Sequence, residues 1–299
     1  MSTRTVRCLA FIGLLLPAWP VGCSQAPTLP GGANNNNNGG NGTIGSGVEP
    51  ELTADQEKAV NTALSSASGL AQAVNTSQTG ATAASDDGSA QAAPELQFGT
   101  CPVVTLATEA MPLVFTITVD FGAACAPAVP AGAVCSGSAS GTIDASVPSL
   151  DLTFDSISCG GDTLDGSTSL TYLVADGLVT LDGAWALAVT HPGDEGPGTT
   201  TLEGGGLCSY DGALATVEIE EFAATISNGT EEWELTANGL RVELSNADLL
   251  VPYGGTITVT AAESDTIVLV FNEFSPVTGE VTVSINDGPS FTVNVFELP

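Results

Sequence analysis

The side chains able to do chemistry are few in kind. The 299-residue chain holds seven Cys, one His and 34 Asp plus Glu. His191 would have to be the base of any Ser-His-Asp triad, yet it falls in His191-Pro192-Gly193-Asp194-Glu195-Gly196, a turn sequence, and no Gly-x-Ser-x-Gly surrounds Ser138. Paired carboxylates serve glycoside hydrolysis, with Glu218, Glu220, Glu221, Glu231, Glu232 and Glu234 as candidates. Among so many acids such pairs arise by chance. Asp162, Asp165 and Asp194 lie in Gly-rich stretches where calcium could be held, but no Asp-x-Asp-x-Asp-Gly loop is present and solvated loop acids account for them. No cysteine spacing is Cys-x-x-Cys, which argues against a zinc site. Trp185 and Trp233 sit among apolar neighbours and read as core, not as platforms for sugars. The expectation is a protein with no catalytic residue, no metal and no cofactor.

A different cysteine chemistry is written at the N-terminus. Arg4 and Arg7 precede a short apolar stretch, Cys8 to Pro17, followed by Trp19, Pro20, Val21, Gly22 and Cys23. This order of positive, apolar and small residues marks a secretory signal, too short and interrupted for a lasting membrane span. Val21-Gly22-Cys23 resembles the bacterial lipobox, whose cysteine is diacylated and becomes the first residue of the mature chain. Pro20 stands where that box usually carries an aliphatic residue. Residues 1–22 are therefore expected to be a lipoprotein signal peptide and Cys23 the lipidated residue. Acyl chains at Cys23 would make the membrane the partner, each buried methylene contributing about 0.8 kcal/mol. Residues 23–50, with Pro27, Pro30, Gly31, Gly32 and Asn34 to Asn38, carry no periodic apolar set and read as a flexible tether.

Charge narrows the partners further. The formal net charge is −30, and once Arg4 and Arg7 leave with the signal only Lys58 and Arg241 remain as Lys or Arg. So acidic a surface repels nucleic-acid phosphates and anionic headgroups, which excludes nucleic acid as a partner. A hydrophobic fraction of 43% still provides for a core.

The elements that would position these residues divide sharply along the chain. Thr53 and Gln56 form a capping box, and Val60, Ala63, Leu64, Ala67, Ala71 and Val74 follow at helical spacing, predicting a helix over 53–74. Residues 75–97 return to Ser, Thr, Ala, Gly and Asp and read as a linker, so 51–98 is a short helix plus linker. Beyond it the period becomes two, over Leu113 to Phe121, Leu150 to Phe154, Leu178 to Val189, Leu214 to Ile219, Glu232 to Leu244, Thr256 to Thr260, Ile267 to Phe271, Val281 to Ile285 and Phe291 to Val295. Asp-Gly at 87, 165, 176, 182, 211 and 287, and Asn-Gly at 228 and 238, suit tight hairpin turns. No helical period follows residue 76. Residues 99–299 are thus expected to be an all-β domain, an antiparallel meander of about twelve strands forming a sandwich, a barrel or a curved open sheet. Phe154-Asp155-Ser156-Ile157, Ile219-Glu220-Glu221-Phe222 and Phe271-Asn272-Glu273-Phe274 each set two apolar residues three apart, a step that predicts a bulge or a bend.

Cys101-Pro102, then Ile117-Thr118-Val119-Asp120-Phe121-Gly122, Cys125, and Ser136-Gly137 ahead of Gly141 resemble a pattern in uncharacterised bacterial surface lipoproteins. The resemblance covers residues 101 to 175. It implies an extracytoplasmic location, an all-β build and a Cys101–Cys125 disulfide, since the pattern carries both cysteines. For Cys135 with Cys159 the argument is geometric: a turn at Ser146 to Pro148 sets them opposite each other on adjacent strands, leaving Cys208 free. Cys159 with Cys208 is the rival pairing. Together these readings give a lipid-anchored protein of the outer membrane or cell surface with a structural or binding role. An extracellular carbohydrate-active hydrolase and an adhesin-like interaction module are the alternatives.

Overall fold

The computed structural model describes residues 52–86, 95–108, 114–127, 133–159, 161–192, 198–244, 251–261 and 265–298. Cys23 and the segments expected to be signal and tether lie outside them. All the described residues belong to one compact unit, Glu49–Pro299. Helix α1 (Ala54–Asp86) is followed by β1 (Glu95–Phe98), β2 (Val103–Thr108), β3 (Val114–Cys125), β4 (Cys135–Asp144), β5 (Ser149–Cys159), β6 (Thr163–Ala175) and β7 (Leu178–His191). Then come β8 (Gly198–Asp211), β9 (Thr216–Ser227), β10 (Glu232–Glu243), β11 (Gly254–Ala261) and β12 (Thr266–Phe271). One helical turn, α2 (Ser275–Thr278), precedes β13 (Glu280–Ile285) and β14 (Phe291–Asn294). Among the described residues fourteen strands form a single open sheet in sequence order, each antiparallel to the next, with β1 and β14 as its edges. The antiparallel meander is therefore present, and of the three shapes left open by periodicity it is the curved open sheet.

Helix α1 lies across this sheet. Its capping box is formed: Thr53 N–H donates to Gln56 Oε1 (2.9 Å) and Gln56 N–H to Thr53 Oγ1 (3.4 Å). From there α1 passes over every strand from β2 to β11. Thirty-three residues reach about 50 Å, enough to span ten strands spaced about 4.8 Å apart. The helix is also longer than its apolar period predicts, because residues 75–86, read as linker, are helical. Its buried positions circle most of the axis instead of forming one stripe, and they include Thr62, Ser66, Thr76 and Ser77. Two hydroxyls are hidden by bonding back along the helix, Ser66 Oγ to Thr62 O (2.8 Å) and Thr76 Oγ1 to Gln72 O (3.0 Å). A segment that looks polar in sequence is thereby compatible with the core.

The inner face of the sheet is built by alternation that repairs itself. In β5, β9 and β10 the buried face steps by three, from Phe154 to Ile157, Ile219 to Phe222 and Ala237 to Leu240. The register shifts beside each step, so the skipped polar pairs are bulges that return the next apolar residue to the core. The third expected member, Phe271 to Phe274, is different: Phe271 ends β12 buried and Phe274 leaves the sheet exposed, in the turn before α2.

The Gly dipeptides also divide into two kinds. Asp176-Gly177 is a two-residue hairpin with φ of 51° and 83°, and Asp211-Gly212, Asn228-Gly229 and Asp287-Gly288 lie in connections. Asp165-Gly166, Asp182-Gly183 and Asn238-Gly239 lie inside β6, β7 and β10, which corrects the expectation of turns there; Asp87-Gly88 lies outside the described residues. Within strands, inward glycines meet large neighbours: Gly166 pairs with Phe154, Gly204 with Trp185 and Gly206 with Phe222. A Cβ on Gly206 would stand 2.1 Å from Glu221 O, so the chain passes there only without a side chain. The run Gly204-Gly205-Gly206 also erases the alternation of β8, a strand that periodicity does not reveal.

Two glycines of α1 give a test of the helix–sheet contact. A Cβ on Gly69 would meet Val189 Cγ2 at 2.2 Å, whereas one on Gly80 would meet Ile117 Cδ1, the end of a longer side chain, at 2.7 Å. Val189 has one rotatable bond and no way to yield. Gly69→Ala should therefore lower stability by about 1–3 kcal/mol despite its gain in helix propensity. For Gly80→Ala the change should stay within about 1 kcal/mol, because Ile117 can rotate while the helix gains. Urea denaturation midpoints of the two variants measure the difference.

Candidate functional site

The cysteines are sorted by the meander itself. Cys135 is directly opposite both Cys125 on β3 and Cys159 on β5, so three of them share one row at one end of the sheet. Disulfides join Cys101 to Cys125 (Cα–Cα 5.7 Å) and Cys135 to Cys159 (4.3 Å). The rival bond from Cys159 to Cys208 is not made. Each bridge closes a separation of 24 residues, a constraint on the unfolded chain of about 3 kcal/mol. Cys208 is free and buried on β8. Burial, assisted by the charges of Glu220 and Asp182, pushes its thiol up to about 12.

Most of the candidate catalytic groups are dispersed. His191 Nδ1 faces Asp162 Oδ1 at 3.0 Å, but Nε2, the atom that would have to face a serine, has no hydrogen-bond partner. Asp165 Oδ1 accepts the Ser156 N–H (2.8 Å) and so holds the bulge of β5. Asp194 lies outside the described residues, and among the described residues no three His, Cys, Asp or Glu gather as metal ligands. Glu218 binds Arg241 (3.2 Å) and Glu231 reaches Lys58 (3.7 Å), while Glu220, Glu221, Glu232 and Glu234 are exposed. Trp185 and Trp233 are buried.

Glu231 and Glu232 line a depression of about 650 Å³ together with Trp233, Asp55 and Asp265, between the start of α1 and β10 to β12, and two further surfaces stand out. The first is a shallow depression of about 620 Å³ on the face turned away from α1, crossing β4 to β8. Its floor is Ser167, Ser169, Ala184 and Ala186, with Asp151 and Glu203 at its sides. These carboxylates stand on β5 and β8, three strand spacings or about 14 Å apart. A glycosidase pair needs about 5–9.5 Å, and Trp185 turns its ring to the other face, so the sugar-cleaving arrangement is not formed here.

The second is a rim. In a meander, alternate connections fall at the same end, so β4–β5, β6–β7, β8–β9 and β12–β13 share one. Among the described residues that end carries most of the exposed large apolar ones: Val147 (66%), Leu173 (63%), Leu178 (43%), Leu214 (66%), Phe274 (62%) and Val277 (80%). Neighbouring tips are stitched together: Tyr172 N–H donates to Pro148 O (3.1 Å), Gly212 N–H to Gly177 O (3.2 Å) and Leu244 N–H to Ala215 O (2.9 Å). Two tips share one construction. Asp144 Oδ1 accepts the N–H of Ser146 (2.8 Å) and Val147 (3.3 Å), and Asp211 Oδ1 accepts those of Ala213 (2.8 Å) and Leu214 (3.2 Å). The Ser146 hydroxyl and N–H hold the Asp144 carboxyl below its usual range. Sequence reasoning missed the rim because its residues are far apart along the chain and nothing in each hairpin alone marks it.

Comparison with protein families, curated proteins and solved structures finds no match for this chain.

The thiol and disulfides make a direct test. With iodoacetamide at pH 8, peptide mapping should find Cys208 modified only after denaturation, and Cys101, Cys125, Cys135 and Cys159 only after reduction. The raised thiol also fixes a sign. An unfolded thiol ionises at its ordinary value of 9.0 while the folded one holds its proton to about 12. Stability present below pH 9 is therefore lost as pH rises toward 12, by up to about 1.4 kcal/mol per pH unit. Cys208→Ala should show a shallower decline in alkaline denaturation curves.

Proposed function

We propose that this is a lipid-anchored protein of the cell envelope with a binding or structural role, held by acyl chains on Cys23 and presenting its sheet on a tether. The observation that carries the binding role is the hydrogen-bonded rim of hairpins, which holds apolar side chains in solvent on a rigid support. Two disulfides fit an oxidising compartment outside the cytoplasm. No helix among the described residues is long and apolar enough to cross a membrane. Attachment through acyl chains accounts for a membrane location without such a helix.

The same rim and the open edges β1 and β14 favour an adhesin-like interaction module as the specific form of the binding role. Metabolic labelling with a radioactive fatty acid tests the anchor. The wild type should take up label and partition with membranes, and Cys23→Ser should do neither. Failure of the wild type to take up label would remove the anchor from the proposal.

A further inference from the structure

The apolar residues of the rim are not required by the turns that hold them. At the opposite end of the sheet Asn228 accepts the N–H groups of Thr230 (3.1 Å) and Glu231 (3.0 Å), the same bonds that Asp144 and Asp211 make. There the fourth residue is Glu231, whereas on the rim it is Val147 or Leu214. The turn geometry is satisfied by a charged residue at that position, so folding does not explain the apolar ones. Each exposed apolar group also has a carboxylate close in sequence: Val147 follows Asp144, Leu173 and Leu178 bracket Asp176, and Leu214 follows Asp211. The basic group near this end, Arg241, is already engaged by Glu218.

This combination selects its partner. An anionic bilayer is repelled by these carboxylates, and pushing the tips into any bilayer would carry them toward hydrocarbon at a high desolvation penalty. A basic apolar surface satisfies both parts. Successive tips lie two strands, or about 9.6 Å, apart, and residues seven apart on an α-helix lie about 10.5 Å apart. We propose that the hairpin rim docks a cationic amphipathic helix of a partner polypeptide, its apolar residues seated on the Val147, Leu173 and Leu214 tips and its Lys or Arg side chains beside Asp176 and its neighbours. The proposal deepens the binding reading above and is independent of the acyl anchor.

The probe is a fluorescent helical peptide of about three heptads made of Leu and Lys, measured by anisotropy against the full-length chain. Controls are the same pattern with Glu for Lys, and a Lys-rich peptide without Leu. The Leu/Lys peptide should bind more tightly than either control, and more weakly as salt rises. Val147→Ser/Leu214→Ser should raise Kd at least about tenfold, and Leu173→Ser should act in the same direction. Asp176→Asn, which suits the positive φ of that turn, should weaken the salt dependence. Val134→Ser, an exposed apolar residue at the other end, should leave Kd unchanged, as should Cys23→Ser. Equal binding of the Lys-rich peptide without Leu, or no effect of the rim variants, would overturn the proposal by showing general attraction to an acidic protein. Rim-dependent binding to phosphatidylcholine vesicles instead of the peptide would overturn it in favour of a membrane. Because Cys23→Ser separates anchor from rim, loss of fatty-acid labelling and loss of peptide binding are distinguishable failures.

Discussion

Close approach between a helix of small residues and the inner face of one long sheet is the constraint on which the rest depends. An open antiparallel sheet of fourteen strands has far more inner surface than its own curl can bury. A helix of large residues would keep its backbone about 10 Å from the sheet and touch few strands closely. Ala, Ser, Thr and Gly along α1 bring the two backbones nearer, so that Val189 and Ile117 occupy the space a side chain would take at Gly69 and Gly80. The length of α1 follows, since only a helix of this reach serves ten strands. Ion pairs contribute little by comparison: the pairs at Lys58 and Arg241 are at the surface and worth at most about 1 kcal/mol each.

The same constraint sets what was legible in the sequence. Alternation in Leu150 to Phe154 or Leu178 to Val189 reports burial of one face directly, and these strands fall where the period places them. The second half of α1 does not report itself, because its burial rests on small size and hydroxyls turned back on the backbone, not on apolar side chains. Likewise Gly204-Gly205-Gly206 removes the signal of β8 while making room for Trp185 and Phe222. The step of three at Phe154 and Ile219 is visible as an irregularity, and the register gives it meaning as a bulge. For the candidate site, the Cys135–Cys159 pairing is accessible from a single assumed turn, whereas the Cys101–Cys125 pairing is what the family resemblance implies. The rim is not, because it is a property of hairpin ends brought side by side by the whole meander.

Bulges and inward glycines also explain why the outer face is so plain. Each strand must bend around α1, and bending crowds the inner face while opening the outer one. Ser167, Ser169, Ala184 and Ala186 on the outer face are small enough to leave a depression across five strands. Acids on this face such as Asp151 and Glu203 face solvent, which screens their mutual repulsion. The high negative charge is thus borne as a solvated surface, and single carboxylates such as Asp144, Asp165 and Asp211 are used one at a time to hold backbone N–H groups.

Hairpin tips are where such a fold has freedom left. On the inner face of the sheet each position answers to α1, to a neighbouring strand or to a bulge, and its residue type is limited by space. At the tips a carboxylate or amide oxygen closes the turn, and the residue that follows is unconstrained by it, as Glu231 at one end and Val147 and Leu214 at the other demonstrate. Water favours a charged or polar residue there. Large apolar side chains at several tips of the same end oppose that preference, and lateral hydrogen bonds between the tips keep them in a fixed row instead of letting them fold back onto the sheet. A fixed row of solvent-facing apolar groups among carboxylates is unfavourable for the isolated chain. It becomes favourable when a surface with both apolar and basic groups covers it.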